Sequence, residues 1–104
     1  MKRSGILIDA NGNKLLAFHN GEICQGTFLA EFVILQMSQD TIALFREYEE
    51  IVSQQSFSWL SSIERRLDTL GLAVIWEGEE SPVIVEDVQL AGGKVSFRVE
   101  QAAC

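Results

Sequence analysis

At 104 residues, 47% of them apolar and only one of them proline, the chain has room for a single core and is too apolar to be disordered. Fifteen acidic residues against eight basic give a net charge of −7, a field that repels phosphate backbones and anionic lipid surfaces and so argues against nucleic-acid and membrane binding. A single histidine and two cysteines, Cys24 and Cys104, provide no zinc ligand set, no disulfide framework and no CxxC pair.

The expectation is one domain over residues 1–104, cytoplasmic, with reduced thiols and neither metal nor cofactor. Lys2 and Arg3 are followed by an apolar stretch, Ile6 to Ile8, that is too short for a signal peptide. In chain order, Gly5–Asp9 reads as a first strand and Lys14–His19 as a second, joined by a turn at Ala10–Asn13. Asn-Gly between apolar runs is the strongest short-range hairpin signal, because a type I′ turn needs positive φ at both central residues. The same dipeptide recurs at Asn20–Gly21 before Ile23–Cys24, which predicts a three-stranded meander.

Residues 27–37 fit either a strand or a helix, and their aromatic and β-branched content favours the strand. Phe28, Ala30, Phe32 and Ile34 would then share one face, and Leu29, Val33 and Leu35 the other. Apolar side chains on both faces predict a strand covered on both sides.

From Ser38 the period changes to that of a helix. Ser38 or Asp40 can cap a stripe of Leu44, Phe45, Tyr48, Ile51 and Val52, with Arg46, Glu47, Glu49 and Glu50 opposite. Ser53–Ser56 interrupts it. A second helix is expected from Ser58 to Leu70, aligning Leu60, Ile63, Leu67 and Leu70 and stopping at Gly71. Strands follow at Leu72–Glu77, Pro82–Leu90 and Lys94–Glu100. In the last, Val95, Phe97 and Val99 alternate with Ser96, Arg98 and Glu100. The fold class is therefore α+β: an antiparallel sheet with a two-helix hairpin packed on one face, in the order βββ-αα-βββ.

Chemistry is sparse. No GxGxxG, GxxxxGK[ST] or GxSxG motif occurs. Glu77, Glu79, Glu80, Glu86 and Asp87 read as a solvated acidic loop and strand edge rather than a magnesium site. If Asn20–Gly21 is a two-residue turn, His19 faces Glu22 and Cys24 faces Ala17 on one side of the hairpin. Cys24 then lies diagonally from His19 at roughly 7–8 Å, long for a thiol–imidazole hydrogen bond. Arg65 and Arg66 read as an exposed helix face partly paired with Glu64 or Asp68. No catalytic residue is assigned.

Two surfaces remain. Phe57, Trp59 and Trp76 are each either core plugs or anchors for a partner, since Trp is enriched where proteins meet. Phe28, Phe32, Phe45 and Tyr48 are candidates to line an apolar pocket between helices and sheet. The function expected is a non-catalytic, acidic protein-interaction domain that binds a protein partner or itself as a homodimer. The alternative is a small-molecule binding or sensing module built on that pocket.

Overall fold

The computed structural model describes residues 2–54, 58 and 60–98. Among these the elements are β1 (Arg3–Ile8), β2 (Lys14–Cys24), β3 (Thr27–Ile34), α1 (Gln39–Ser53), α2 (Leu60–Asp68), β4 (Ala73–Trp76), β5 (Val83–Ile84), β6 (Glu86–Ala91) and β7 (Lys94–Arg98). The class is α+β, with seven antiparallel strands and two helices among the described residues, so the last third holds four strands where three were expected.

The first hairpin turns within the expected Ala10–Asn13 stretch but at Ala10–Asn11, closed by the Gly12 N–H donating to the Asp9 carbonyl (3.0 Å). Only Gly12 takes positive φ (82°), so the turn is not the type I′ that Asn-Gly predicts, and the Asp9 side chain fastens it. Its Oδ1 accepts the backbone N–H groups of Asn11 (2.9 Å) and Asn13 (3.0 Å), and its Oδ2 accepts from Asn13 Nδ2 (3.0 Å). Where β1 meets β2, Leu7 pairs with Leu16 and Ile8 with Lys14, so Leu15 is an extra residue. Such a bulge lets two successive side chains turn inward, and both Leu15 and Leu16 are buried.

Asn20–Gly21, which the sequence marks as a second turn, lies instead inside the continuous strand β2. His19 pairs with Glu31 and Glu22 with Leu29, leaving two residues of β2 opposite one of β3, which makes the dipeptide a bulge. Asn20 takes the left-handed conformation (φ 56°) without reversing the chain. The reason is tertiary: a side chain at position 21 would overlap the ring of Phe28. The reversal comes at Gln25–Gly26, where φ values of 54° and 81° join paired Cys24 and Thr27 through a two-residue loop.

Residues 27–34 form the strand favoured over the helix, and the chain bends at 35 and 36. Ser38 caps α1, accepting the N–H of Thr41 on its hydroxyl at 3.2 Å. Leu44, Phe45 and Tyr48 are the buried stripe of that helix. Beyond α2, the N–H of Ala10 reaches the Leu70 carbonyl (2.8 Å) and ties the helix exit to the first hairpin.

The predicted strand Pro82–Leu90 is in fact two. Val85 breaks it, turning its side chain into the core while its N–H donates to the Leu72 carbonyl at 3.3 Å. The pieces part company completely, because the strand order is β5-β4-β1-β2-β3-β7-β6. β5 and β6, one residue apart in sequence, are opposite edges of one sheet. That is possible only if the sheet curls until its edges meet.

The aromatic residues measure the curl. Trp76 on β4 and Phe97 on β7 are four strand spacings apart, about 19 Å if the sheet were flat. Their ring centroids are 6.0 Å apart. Phe18 and Phe28 complete the group, with Phe18 edge-on to Phe28 at 5.1 Å and Phe28 stacked on Phe97 at 4.9 Å. Leu44, Phe45 and Tyr48 of α1 and Ile63 and Leu67 of α2 belong to the same buried cluster. No described helix is long and apolar enough to cross a membrane.

Candidate functional site

Trp76 is 6% exposed, with its ring edge-on to Phe18 (5.6 Å) and Phe28 (5.0 Å) and the Arg3 guanidinium 4.0 Å from its centroid. It is placed as a core plug, with a cation held over its outer face. Phe57 and Trp59 lie outside the described residues.

The four pocket candidates do not share one pocket. Phe28 is wholly enclosed in the aromatic group. Half-buried Phe32 and one flank of Phe45 line a hollow of about 330 Å³, and Tyr48 lines a different one of about 400 Å³.

The hollow beside Tyr48 lies where α1 and α2 meet the β5–β6 corner. Leu67, Leu72, Ile84 and Val85 form its apolar wall, and Glu64, Asp68, Glu86 and Asp87 its rim. Burial pushes the Tyr48 phenol above its ordinary value, the charges of Asp87 and Glu64 push it further, and a hydrogen bond with Gln89 opposes them. Asp87 is ion-paired with Arg98 at 2.9 Å. The rim carries one sign of charge and repels anions. Among the described residues, no group of three or more His, Cys, Asp or Glu side chains is arranged to hold a metal ion.

The thiol–imidazole–carboxylate arrangement is undone by the bulge in β2. His19 faces Glu31 across the strands, Nε2 to Oε2 3.4 Å, and not Glu22. Glu22 binds Lys2 at 2.9 Å, and that hydrogen bond and positive charge hold its carboxyl below the ordinary glutamate value. Cys24 pairs with Thr27 at the hairpin end and not with Ala17, which pairs with Val33. On the helices, Arg66 reaches Glu47 (3.5 Å) rather than Glu64 or Asp68.

Two places expose large apolar side chains: the edge strand β5, with Val83 (46%) and Ile84 (81%), and the interior strand β3. Leu29 and Val33, on the outer face of β3, are 48% and 54% exposed, and Leu35, just beyond the strand, is 49% exposed, although β3 is flanked by β2 and β7 in the middle of the sheet. Ile34, 49% exposed, pairs with buried Leu16 on the inner side. The outer face of this strand, expected to be covered, is open. Cross-strand register extends it sideways: Val33 pairs with Ala17, Ala17 with Ile6 and Ile6 with Ile75, all three neighbours partly exposed. Next to that row, Glu31 lies between His19 and Lys94. The outer face is thus an apolar band with a mixed-charge border.

On the inner side of the sheet, the end of β3 borders the 330 Å³ hollow. There Phe32, Ile34, Met37, Ile42, Phe45 and Leu90 form an apolar floor, with Arg46 and Glu49 of α1 beside it and the Gly92–Gly93 hairpin opposite. Sequence reasoning named none of Leu29, Val33, Ile34 or Leu35 as an interaction residue. The signal was present, because a strand apolar on both faces needs two covering layers and the sequence pattern offers two helices, expected on one face. No protein-family model, curated protein or solved structure matches this chain.

Proposed function

We propose that this chain is a non-catalytic protein-interaction domain of the cytoplasm that works through the open apolar side of β3. The observation that carries the reading is the half-exposure of Leu29 and Val33 on the outer face of an interior strand, with half-exposed Leu35 just beyond it. Covering the exposed half of each is worth on the order of 1 kcal/mol, and a contiguous apolar patch on a soluble domain marks a contact site. The helical hairpin, packed on the concave face of the sheet, closes the core and leaves the convex face to the partner. The acidic surplus keeps the domain soluble and discourages nucleic acids and anionic membranes.

A photo-crosslinking residue placed at Leu29 or Leu35 in cells tests the reading. A discrete protein adduct at either position supports it, and its mass distinguishes self-association from another partner. Absence of any adduct at both positions overturns it.

The hollow beside Tyr48 favours a second reading, a small-molecule binding module. Its acidic rim would select a cationic ligand. A monomer stabilised against heat by a small organic amine, and unaffected by anionic metabolites, would support that reading.

A further inference from the structure

We infer that the partner at the end of β3 is a second copy of this chain, docked about a two-fold axis. This inference rests on the interaction reading above and names its occupant. The surface there carries a ridge and a groove side by side. Leu35, just beyond the strand, and Val33, on its outer side, stand half-exposed as the ridge, while half-exposed Ile34, on the inner side, belongs to the apolar floor formed with Met37, Ile42 and Leu90. A two-fold brings each copy's ridge to the other's groove, so one kind of contact is made twice.

Charge selects the same occupant. The chain carries −7 overall, so two copies repel over most of their surfaces. The hollow beside Tyr48, rimmed by four carboxylates, would set like charges against each other. The groove at the end of β3 has one charge of each sign, Arg46 and Glu49, three positions apart on α1. Neither has an ion-pair partner among the described residues. A two-fold running between them sets Arg46 of one copy against Glu49 of the other, twice. A basic partner would satisfy the glutamate and oppose the arginine, and an acidic partner the reverse. Only a surface bearing both signs in the same arrangement answers both, and this chain has one.

Sedimentation equilibrium of the full chain, across concentrations bracketing the micromolar range, is the test. The wild type should be a monomer–dimer mixture. Arg46→Glu and Glu49→Arg should each weaken the dimer about tenfold, since each places like charges across the axis. The double variant R46E/E49R should restore it. Mixing the two single variants should produce a mixed dimer tighter than either alone, a result that loss of folding cannot imitate. A wild type monomeric at every concentration, or a dimer indifferent to both substitutions, overturns the second copy as occupant. A crosslinked adduct of a different protein, obtained with a monomeric wild type, overturns it while leaving the interaction reading intact. No adduct with any protein removes both.

Discussion

The ring of Phe28 occupies the space that a side chain at position 21 would need. Gly21 is buried inside β2, and Phe28 is packed between Phe18, Trp76 and Phe97 at centroid distances of 5.1, 5.0 and 4.9 Å. The missing β-carbon on one strand is thus what lets an aromatic ring from the next lie flat against the sheet. Gly21→Ala is expected to cost about 3 kcal/mol through overpacking. Urea unfolding measures it. In a Phe28→Leu background the same substitution should cost at least about 1 kcal/mol less, because the two positions share one space.

Asp9 should make the first hairpin sensitive to acid. Desolvation raises its carboxyl, but the side-chain and backbone hydrogen bonds from Asn13 and the backbone bond from Asn11 outweigh it, leaving the group below the ordinary 3.8. A carboxylate with a depressed folded-state pKa contributes its stability in full above 3.8 and loses it as pH falls through the lower folded value. Asp9→Ala should cost roughly 1 kcal/mol at neutral pH. That difference from wild type should close in strong acid, as read from urea midpoints at a series of pH values.

Tyr48 is the only tyrosine, so its ionisation can be followed by ultraviolet absorbance without interference from another phenol. Burial, then the charges of Asp87 and Glu64, should hold its midpoint above the ordinary 10.0. Asp87→Asn should bring it down. Because the folded value is raised, the stability linked to this group is complete below 10.0 and is lost as pH rises through the folded value. A midpoint at the ordinary value would show that the hollow admits more water than its geometry implies.

The apolar ridge should be dispensable for folding of the single chain. Val33→Thr or Leu35→Gln should change stability by no more than about 0.5 kcal/mol when measured on dilute, monomeric protein. Phe97→Ala, from the aromatic group, should cost about 3–5 kcal/mol under the same conditions. Comparable losses at all three positions would mean that the ridge is covered within the monomer.

What could be read from the residues alone depended on how local its cause is. Beside Asn11–Gly12 the chain turns, at Ala10–Asn11, because the groups that hold it, Asp9 above all, are local. Asn20–Gly21 has the same letters and does not turn, because what decides it is a ring eight positions from Asn20, on the next strand. The actual reversal uses Gln25 in a left-handed conformation, a residue with no strong preference for it, so no turn was legible there. The stripes of Leu44, Phe45 and Tyr48 and of Val95 and Phe97 were legible, since helix and strand periods are written directly in the apolar spacing. The break at Val85 was not, because either half of Val83–Leu90 is a plausible strand and only the closing sheet assigns them to different edges. Of the candidate surface, the two-sided character of Leu29, Val33 and Leu35 was visible, but a sequence cannot tell whether the second cover comes from the same chain.

The placement of β5 and β6 on either side of Val85 has a consequence for how the chain is made. The first three strands emerge as a meander in which β1 and β3 both present unpaired edges. Everything that pairs those edges, β4 against β1 and β7 against β3, lies in residues 73–98, after both helices. The growing chain therefore carries two open edges until residues 73–98 are synthesised, and pairs formed so late are slow and prone to mispairing. Truncation anywhere within residues 73–98 should release an aggregating species rather than a smaller domain.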